Sequence, residues 1–121
     1  MSRIRILLVE DCVDDAELLA IELRESGLEV ELTRIDDERR MRAYLIDVLP
    51  DLIISDSSLP GFSGRQALQM ARELAPDAPF VFFSGGFDQA AEESGLARAA
   101  DICVFKHDLA RMPDVVRSLL P

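Results

Sequence analysis

Leu52-Ile53-Ile54, three apolar residues between Pro50-Asp51 and Ser55-Asp56, set the strongest constraint on this chain. The run is too short for a helix and does not alternate with polar residues, so it reads as a strand covered on both faces. It ends in Ser57-Ser58-Leu59-Pro60-Gly61, a turn-forming cluster, and its exit residue is Asp56. Ile4 to Val9, Phe80-Val81-Phe82-Phe83 and Ile102-Cys103-Val104-Phe105 are near-continuous apolar runs of the same kind. Strands buried on two faces need a layer of structure on each side, which a single sheet obtains from helices.

Helical spacing lies between these runs. Ala16, Leu19, Ala20 and Leu23 fall at i, i+3, i+4 and i+7; Asp14, with Glu17 three residues on, is expected to cap this helix and Gly27 to close it. Glu29 to Ile35 alternates strictly, predicting a strand with one wet face at a sheet edge. Asp36-Asp37 opens a second helix on Met41, Tyr44, Leu45 and Val48. Ser63, with Gln66 three residues later, starts a third on Ala67, Met70, Ala71 and Leu74. A fourth is expected from about Asp88 to Ala99, with Gly95 inside it. The fifth carries Met112, Val115, Val116 and Leu119, with Pro113 in its first turn. Strand and helix alternate five times without a linker. The expectation is one domain over residues 1–121, of class α/β, built on a (βα)5 doubly wound parallel sheet. Right-handed crossovers bring every strand's C-terminal end to one edge, where ligands bind at the switch in strand order.

Composition narrows the class further. The 121 residues are 49% hydrophobic, enough for a core without disulfides or a structural metal. Cys12 and Cys103 form no paired framework, which fits a reducing compartment. With no signal-peptide core behind Met1-Ser2-Arg3-Ile4-Arg5 and no membrane-length apolar run, a cytoplasmic protein without membrane contact is expected. Thirteen Lys and Arg stand against 23 Asp and Glu, a net charge of -10. That balance argues against direct nucleic-acid binding, which needs clustered cations. It suits a divalent cation or a partner's basic surface, while ordinary acidic solubility accounts for most of the excess.

The shared edge collects Glu10 and Asp11 from the first strand, Asp56 from the third, Ser84 from the fourth and Lys106 from the fifth. Strand 2 offers only Asp36 and Asp37, as an outer strand would. Three gathered carboxylates repel one another, so the cluster calls for a cation to stay ionised. Hard oxygen donors point to magnesium, which bridges carboxylates to phosphoryl groups. Asp56 is then the candidate nucleophile, forming an acyl phosphate by in-line attack. Lys106 pairs with a phosphoryl oxygen, Asp11 ligates the metal directly, and Glu10 acts through a metal-bound water.

These residues resemble those of the receiver domains of two-component response regulators. The anchors are Leu8-Val9-Glu10-Asp11, then Asp51-Leu52-Ile53-Ile54-Ser55-Asp56 with Leu59-Pro60 and Gly64, then Phe82-Phe83-Ser84-Gly85 and Val104-Phe105-Lys106. The resemblance covers essentially the whole chain. It implies a flavodoxin-like sheet in strand order 2-1-3-4-5 with five helices. It implies Asp56 as phosphoacceptor, Glu10 and Asp11 as the acidic pair, Ser84 as the switch hydroxyl and Lys106 as the phosphate-contacting lysine. The Ser58 backbone carbonyl would be the third protein ligand of Mg2+. Implied partners are a sensor histidine kinase or phosphotransfer protein as donor and a downstream effector protein or domain as target. The implied role is switching rather than enzymatic turnover, either as a stand-alone receiver or as a piece of a larger regulator or hybrid kinase.

Two positions depart from the family pattern. His107 follows Lys106 where the family usually has a proline behind a cis bond, and a trans bond is expected here. Cys103 stands three residues before Lys106, where the family often has a switching aromatic.

Blander readings stand beside these. Asp14 and Asp15 read as helix caps, His107 as a loop residue, and Cys12 as inert, since carboxylates disfavour a thiolate. One rival function is a degenerate receiver serving as a docking or dimerisation module, which Cys103 and His107 favour. Another is a magnesium-dependent phosphatase with an aspartyl nucleophile, which usually carries a second acid where this chain has Ser58.

Overall fold

The computed structural model of the chain describes residues 3–86 and 95–120. Its elements run β1 (Ile4–Val9), α1 (Val13–Glu25), β2 (Val30–Ile35), α2 (Glu38–Asp47), β3 (Leu52–Ser55), β4 (Ser58–Leu59), β5 (Phe62–Ser63), α3 (Gly64–Leu74) and β6 (Phe80–Ser84). A short α4 (Leu96–Ala99), β7 (Ile102–Phe105), a 3-10 helix (Lys106–Arg111) and α5 (Met112–Leu119) complete the chain. Among these residues no helix is long and apolar enough to cross a membrane.

Five strands form one parallel sheet in the order β2-β1-β3-β6-β7. With the two-residue hairpin β4-β5 set aside, this is the expected 2-1-3-4-5 order of a flavodoxin-like fold. The register places Val9 opposite both Ile35 and Ser55, Ser55 opposite Phe82, and Ser84 opposite Phe105. The exits of β1, β2 and β3 are therefore level, and β6 and β7 run two residues further at the same edge.

Period-two alternation divides each buried strand between two cores. Leu7, Val9, Ile53, Phe80 and Phe82 face Met41 and Leu45 of α2 and Ala67, Met70 and Ala71 of α3. Ile6, Leu8, Leu52, Ile54, Val81, Phe83 and Val104 face Leu19 and Leu23 of α1 and Met112, Val115 and Val116 of α5. Each of the larger side chains, from valine upward, contributes about 1.5–3 kcal/mol by leaving water. Phe80 and Phe82 meet edge to face, with centroids 5.0 Å apart. At the far edge, Asp51 and Asp101 lengthen the ladder with their side chains: Arg5 N–H donates to Asp51 Oδ2 at 2.8 Å and Phe80 N–H to Asp101 Oδ2 at 2.7 Å.

The expected starts of α2 and α3 hold, and both are capped. Asp37 accepts from Arg40 N–H at 2.8 Å, and Ser63 and Gln66 form a reciprocal capping box. The expected Asp14 cap does not hold. Cys12 is the N-cap of α1, without a side-chain bond, and Ala16 N–H already donates to the Cys12 carbonyl at 3.1 Å. The helix thus starts before Asp14, leaving Asp14 and Asp15 as first-turn acids that complement its dipole. The expected fourth helix falls largely outside the described residues. Within them, Gly95 has a left-handed φ of 74° and precedes the four-residue α4, so it bounds a helix where it was expected inside one. The hairpin of β4 and β5 was not anticipated; it tucks Leu59 and Phe62 into the core behind the turn.

Candidate functional site

Asp56 N–H donates to the Val9 carbonyl at 2.8 Å and Glu10 N–H to the Ile35 carbonyl at 2.9 Å, which extends the sheet's hydrogen bonding to the two acids that leave it. One oxygen from each of Glu10, Asp11 and Asp56 lies within 4.8 Å of the others. Their exposure differs: Glu10 is 0% exposed, Asp56 half-buried, and Asp11 open to solvent.

Lys106 enters this group from the end of β7. Its Nζ lies 2.7 Å from Glu10 Oε1, 2.6 Å from Asp15 Oδ2 and 3.1 Å from Asp56 Oδ2, and 5.6 Å from the centroid of the buried Phe83 ring. Burial alone would push its ammonium pKa down. The carboxylates, Asp15 foremost, outweigh that and hold it well above the ordinary lysine value. Burial pushes the Glu10 carboxyl up to about 7; Asp56 adds to the rise, and Lys106 opposes it. Glu10 Oε2 accepts from Cys12 N–H at 3.3 Å, whereas Oε1 meets Lys106 only as an ion-pair contact and has no aligned hydrogen bond. Clustered hard oxygen donors, with the buried Glu10 Oε1 lacking an aligned hydrogen bond, fit a divalent cation.

Ser84, wholly buried at the end of β6, donates to the Gly86 carbonyl at 2.7 Å and accepts from Gly86 N–H at 3.0 Å. Its oxygen also lies 2.6 Å from the Ser57 hydroxyl. Ser58 N–H donates to Asp56 Oδ1 at 3.2 Å and orients that carboxylate. The structure thus brings Glu10, Asp11, Asp56, Ser58, Ser84 and Lys106 to one sheet edge. Asp36 and Asp37 lie aside, one 3.6 Å from Arg34 and the other capping α2.

Three contributors escaped the sequence reading. Asp15 is no cap; it is a partner of Lys106, pointed at the sheet edge one helical turn before the buried Leu19. Arg34, on the wet face of β2, donates to the Glu10 backbone carbonyl at 3.0 Å and fixes the acid turn. Ser57, taken as a turn residue, reaches Ser84. At the two departures, the described residues contain no cis peptide bond, so Lys106-His107 is trans as expected. His107 lies in the 3-10 helix and stacks on Phe105, with centroids 5.5 Å apart. Cys103 is half-buried against the core on the α2-α3 side, and burial pushes its thiol pKa up.

The family model for the response regulator receiver domain matches residues 6–117. The chain is 29% identical over 103 residues to the phosphate regulon transcriptional regulatory protein PhoB of Pseudomonas aeruginosa, covering 84% of this chain and 44% of that protein. It is 32% identical over 106 residues to the DNA-binding response regulator MtrA of Mycobacterium tuberculosis, covering 86% and 44%. The chain therefore spans less than half the length of these curated relatives. Among solved structures, the response regulator TrrA of Thermotoga maritima, in complex with Mg2+ and BeF, is 27% identical with a TM-score of 0.80, over 96% of this chain and 98% of that one. The receiver domain of a signal transduction histidine kinase from Syntrophus aciditrophicus is also 27% identical, with a TM-score of 0.81 over 96% and 89%.

Proposed function

Because the chain belongs to the response regulator receiver domain family, we propose that Asp56 is its phosphoacceptor in two-component signalling. The donor is a phosphohistidine on a sensor kinase or phosphotransfer protein. A carboxylate oxygen of Asp56 bonds to phosphorus as the phosphorus–nitrogen bond breaks, and the imidazole leaves with the bonding pair. The observation that carries this reading is the convergence of Lys106 on Asp56, 3.1 Å apart within an otherwise acidic, half-buried edge.

Each group has a task in that transfer. Ser58 N–H and the backbone anchor to Val9 hold Asp56 facing the edge. Lys106 stays cationic at neutral pH and stands ready to move from Asp56 to a phosphoryl oxygen, with Asp15 retaining its other side. Ser84 supplies the hydroxyl that turns toward the new anion and carries the change to the partner-binding surface. Glu10, Asp11 and Asp56, with the Ser58 carbonyl, would hold magnesium, which when bound neutralises charge on the transferring phosphoryl group. The solved TrrA structure, in complex with Mg2+ and BeF, supports magnesium as the cation by likeness. The protein responds by a population shift between two states, and its targets are an effector protein or domain.

Incubation with acetyl phosphate tests the reading. The intact mass should rise by one phosphoryl group with magnesium, not with EDTA, and not in Asp56→Asn. No gain in the wild type would leave the docking-module reading in its place. Sustained turnover of small phosphoesters would favour the phosphatase instead.

A further inference from the structure

We propose that Ser57 is the resting-state latch of the switch hydroxyl, a positioning residue that sets how readily Ser84 turns toward a phosphoryl group. The proposal rests on the reading of Asp56 as phosphoacceptor and adds a determinant outside the acidic and cationic set.

A serine hydroxyl has one proton to donate and two lone pairs to accept with. Ser84 Oγ gives its proton to the Gly86 carbonyl at 2.7 Å and accepts Gly86 N–H at 3.0 Å. The 2.6 Å contact with Ser57 Oγ is then satisfied when Ser57 donates, filling the second lone pair. The other acceptor near the Ser57 hydroxyl, the Gly86 carbonyl, is at the 3.5 Å limit. Ser84 is saturated in this arrangement and wholly buried. It cannot reorient without giving up bonds that water does not replace.

Ser57 is itself held in place. Its carbonyl accepts Gly64 N–H at 3.1 Å, and the start of α3 packs so closely that a Cβ on Gly64 would lie 2.6 Å from that oxygen. It also directly follows Asp56. The residue beside the phosphoacceptor therefore grips the hydroxyl that must respond to it. To bond a phosphoryl oxygen, Ser84 must redirect its only proton away from Gly86, and the loss of the Ser57 bond is part of the cost of that turn. Removing the Ser57 hydroxyl lowers the cost by one neutral hydrogen bond, a factor of roughly 2 to 12 in the switch equilibrium.

The test compares Ser57→Ala, Ser57→Thr and Ser84→Ala with the wild type, using amide NMR during beryllofluoride titration at saturating magnesium. Ser57→Ala should bind beryllofluoride roughly 2 to 12 times more tightly. Ser57→Thr, which keeps the hydroxyl, should match the wild type, and the Ser57→Ala gain should vanish in a Ser84→Ala background. In the resting protein, amide exchange at Gly86 should accelerate in Ser57→Ala and not in Ser57→Thr. Unchanged or weaker binding by Ser57→Ala, or the same gain without Ser84, overturns the latch while the phosphoacceptor reading stands. A wild type that gives no response to beryllofluoride overturns both.

Discussion

Gly64, the first residue of α3, has no room for a side chain. A methyl group on its Cα would lie 2.6 Å from the Ser57 carbonyl oxygen, 3.0 Å from Ser57 Cα and 3.0 Å from Phe82 Cε1. Two of these atoms are backbone and the third belongs to a fully buried ring, so nothing flexible can turn aside. Gly64→Ala must therefore push the backbone beside Asp56 away from α3 and stretch the 3.1 Å bond from Gly64 N–H to Ser57. Overpacking of this kind costs about 1–3 kcal/mol. Restricting the unfolded chain offsets about 0.4–1 kcal/mol of it. The net loss should be about 1–2 kcal/mol, or roughly 3–10 °C in melting temperature for a domain of this size. Gly85→Ala is the control: nothing lies within 4 Å of its added Cβ, and its φ is outside the left-handed range, so its cost should stay within about 0.5 kcal/mol. Urea unfolding followed by circular dichroism measures both variants, and acetyl phosphate modification reports the displaced Asp56 as a slower rate. Wild-type stability and rate in Gly64→Ala would refute the steric argument, and equal losses in both variants would assign the effect to glycine loss in general.

Two further predictions concern charge. The Glu10 pKa is raised from 4.5 to about 7, so its protonated form stabilises the fold fully below pH 4.5, and that contribution is lost as pH rises through about 7. With EDTA present, stability should fall on the order of 3 kcal/mol across that window, and Glu10→Gln should flatten the slope; urea midpoints that rise with pH there would contradict it. Asp15, lowered chiefly by its bond to Lys106, contributes in the opposite sense, being lost only as pH falls below the ordinary aspartate range. Asp15→Asn should lower the Lys106 pKa in an NMR titration of its Cε and Nζ, with about 1 kcal/mol lost from this partly solvated pair, whose lysine keeps Glu10 and Asp56. An unmoved Lys106 would show that Glu10 and Asp56 suffice to hold it.

Much of the site could be read in the sequence because its residues sit at strand exits, where apolar runs end visibly. Glu10, Asp11, Asp56, Ser84 and Lys106 each close or follow such a run, and the parallel topology then forces them together. Residues that reach the edge from elsewhere gave weaker signals. Asp15 resembles a cap because it lies among acids at a helix start; only the true start of α1, at Val13, turns it inward. Arg34 falls on the exposed register of an edge strand, and its length alone lets it reach Glu10. Ser57 lies in a run of turn formers whose two-residue strands are too short for a period to show. The 3-10 turns from Lys106 to Arg111, kinked at Asp108, were likewise read only as an exit turn, since so short a segment gives too few positions for a stripe.

The central claim is that Asp56 itself becomes the acyl phosphate. Borohydride reduction of acetyl-phosphate-treated protein converts an aspartyl phosphate to homoserine, and peptide mass spectrometry then locates the change. The expected result is homoserine at position 56 alone, dependent on magnesium and lost in Asp56→Asn. Reduction at another carboxylate, or none at position 56 under conditions that modify the protein, would contradict it.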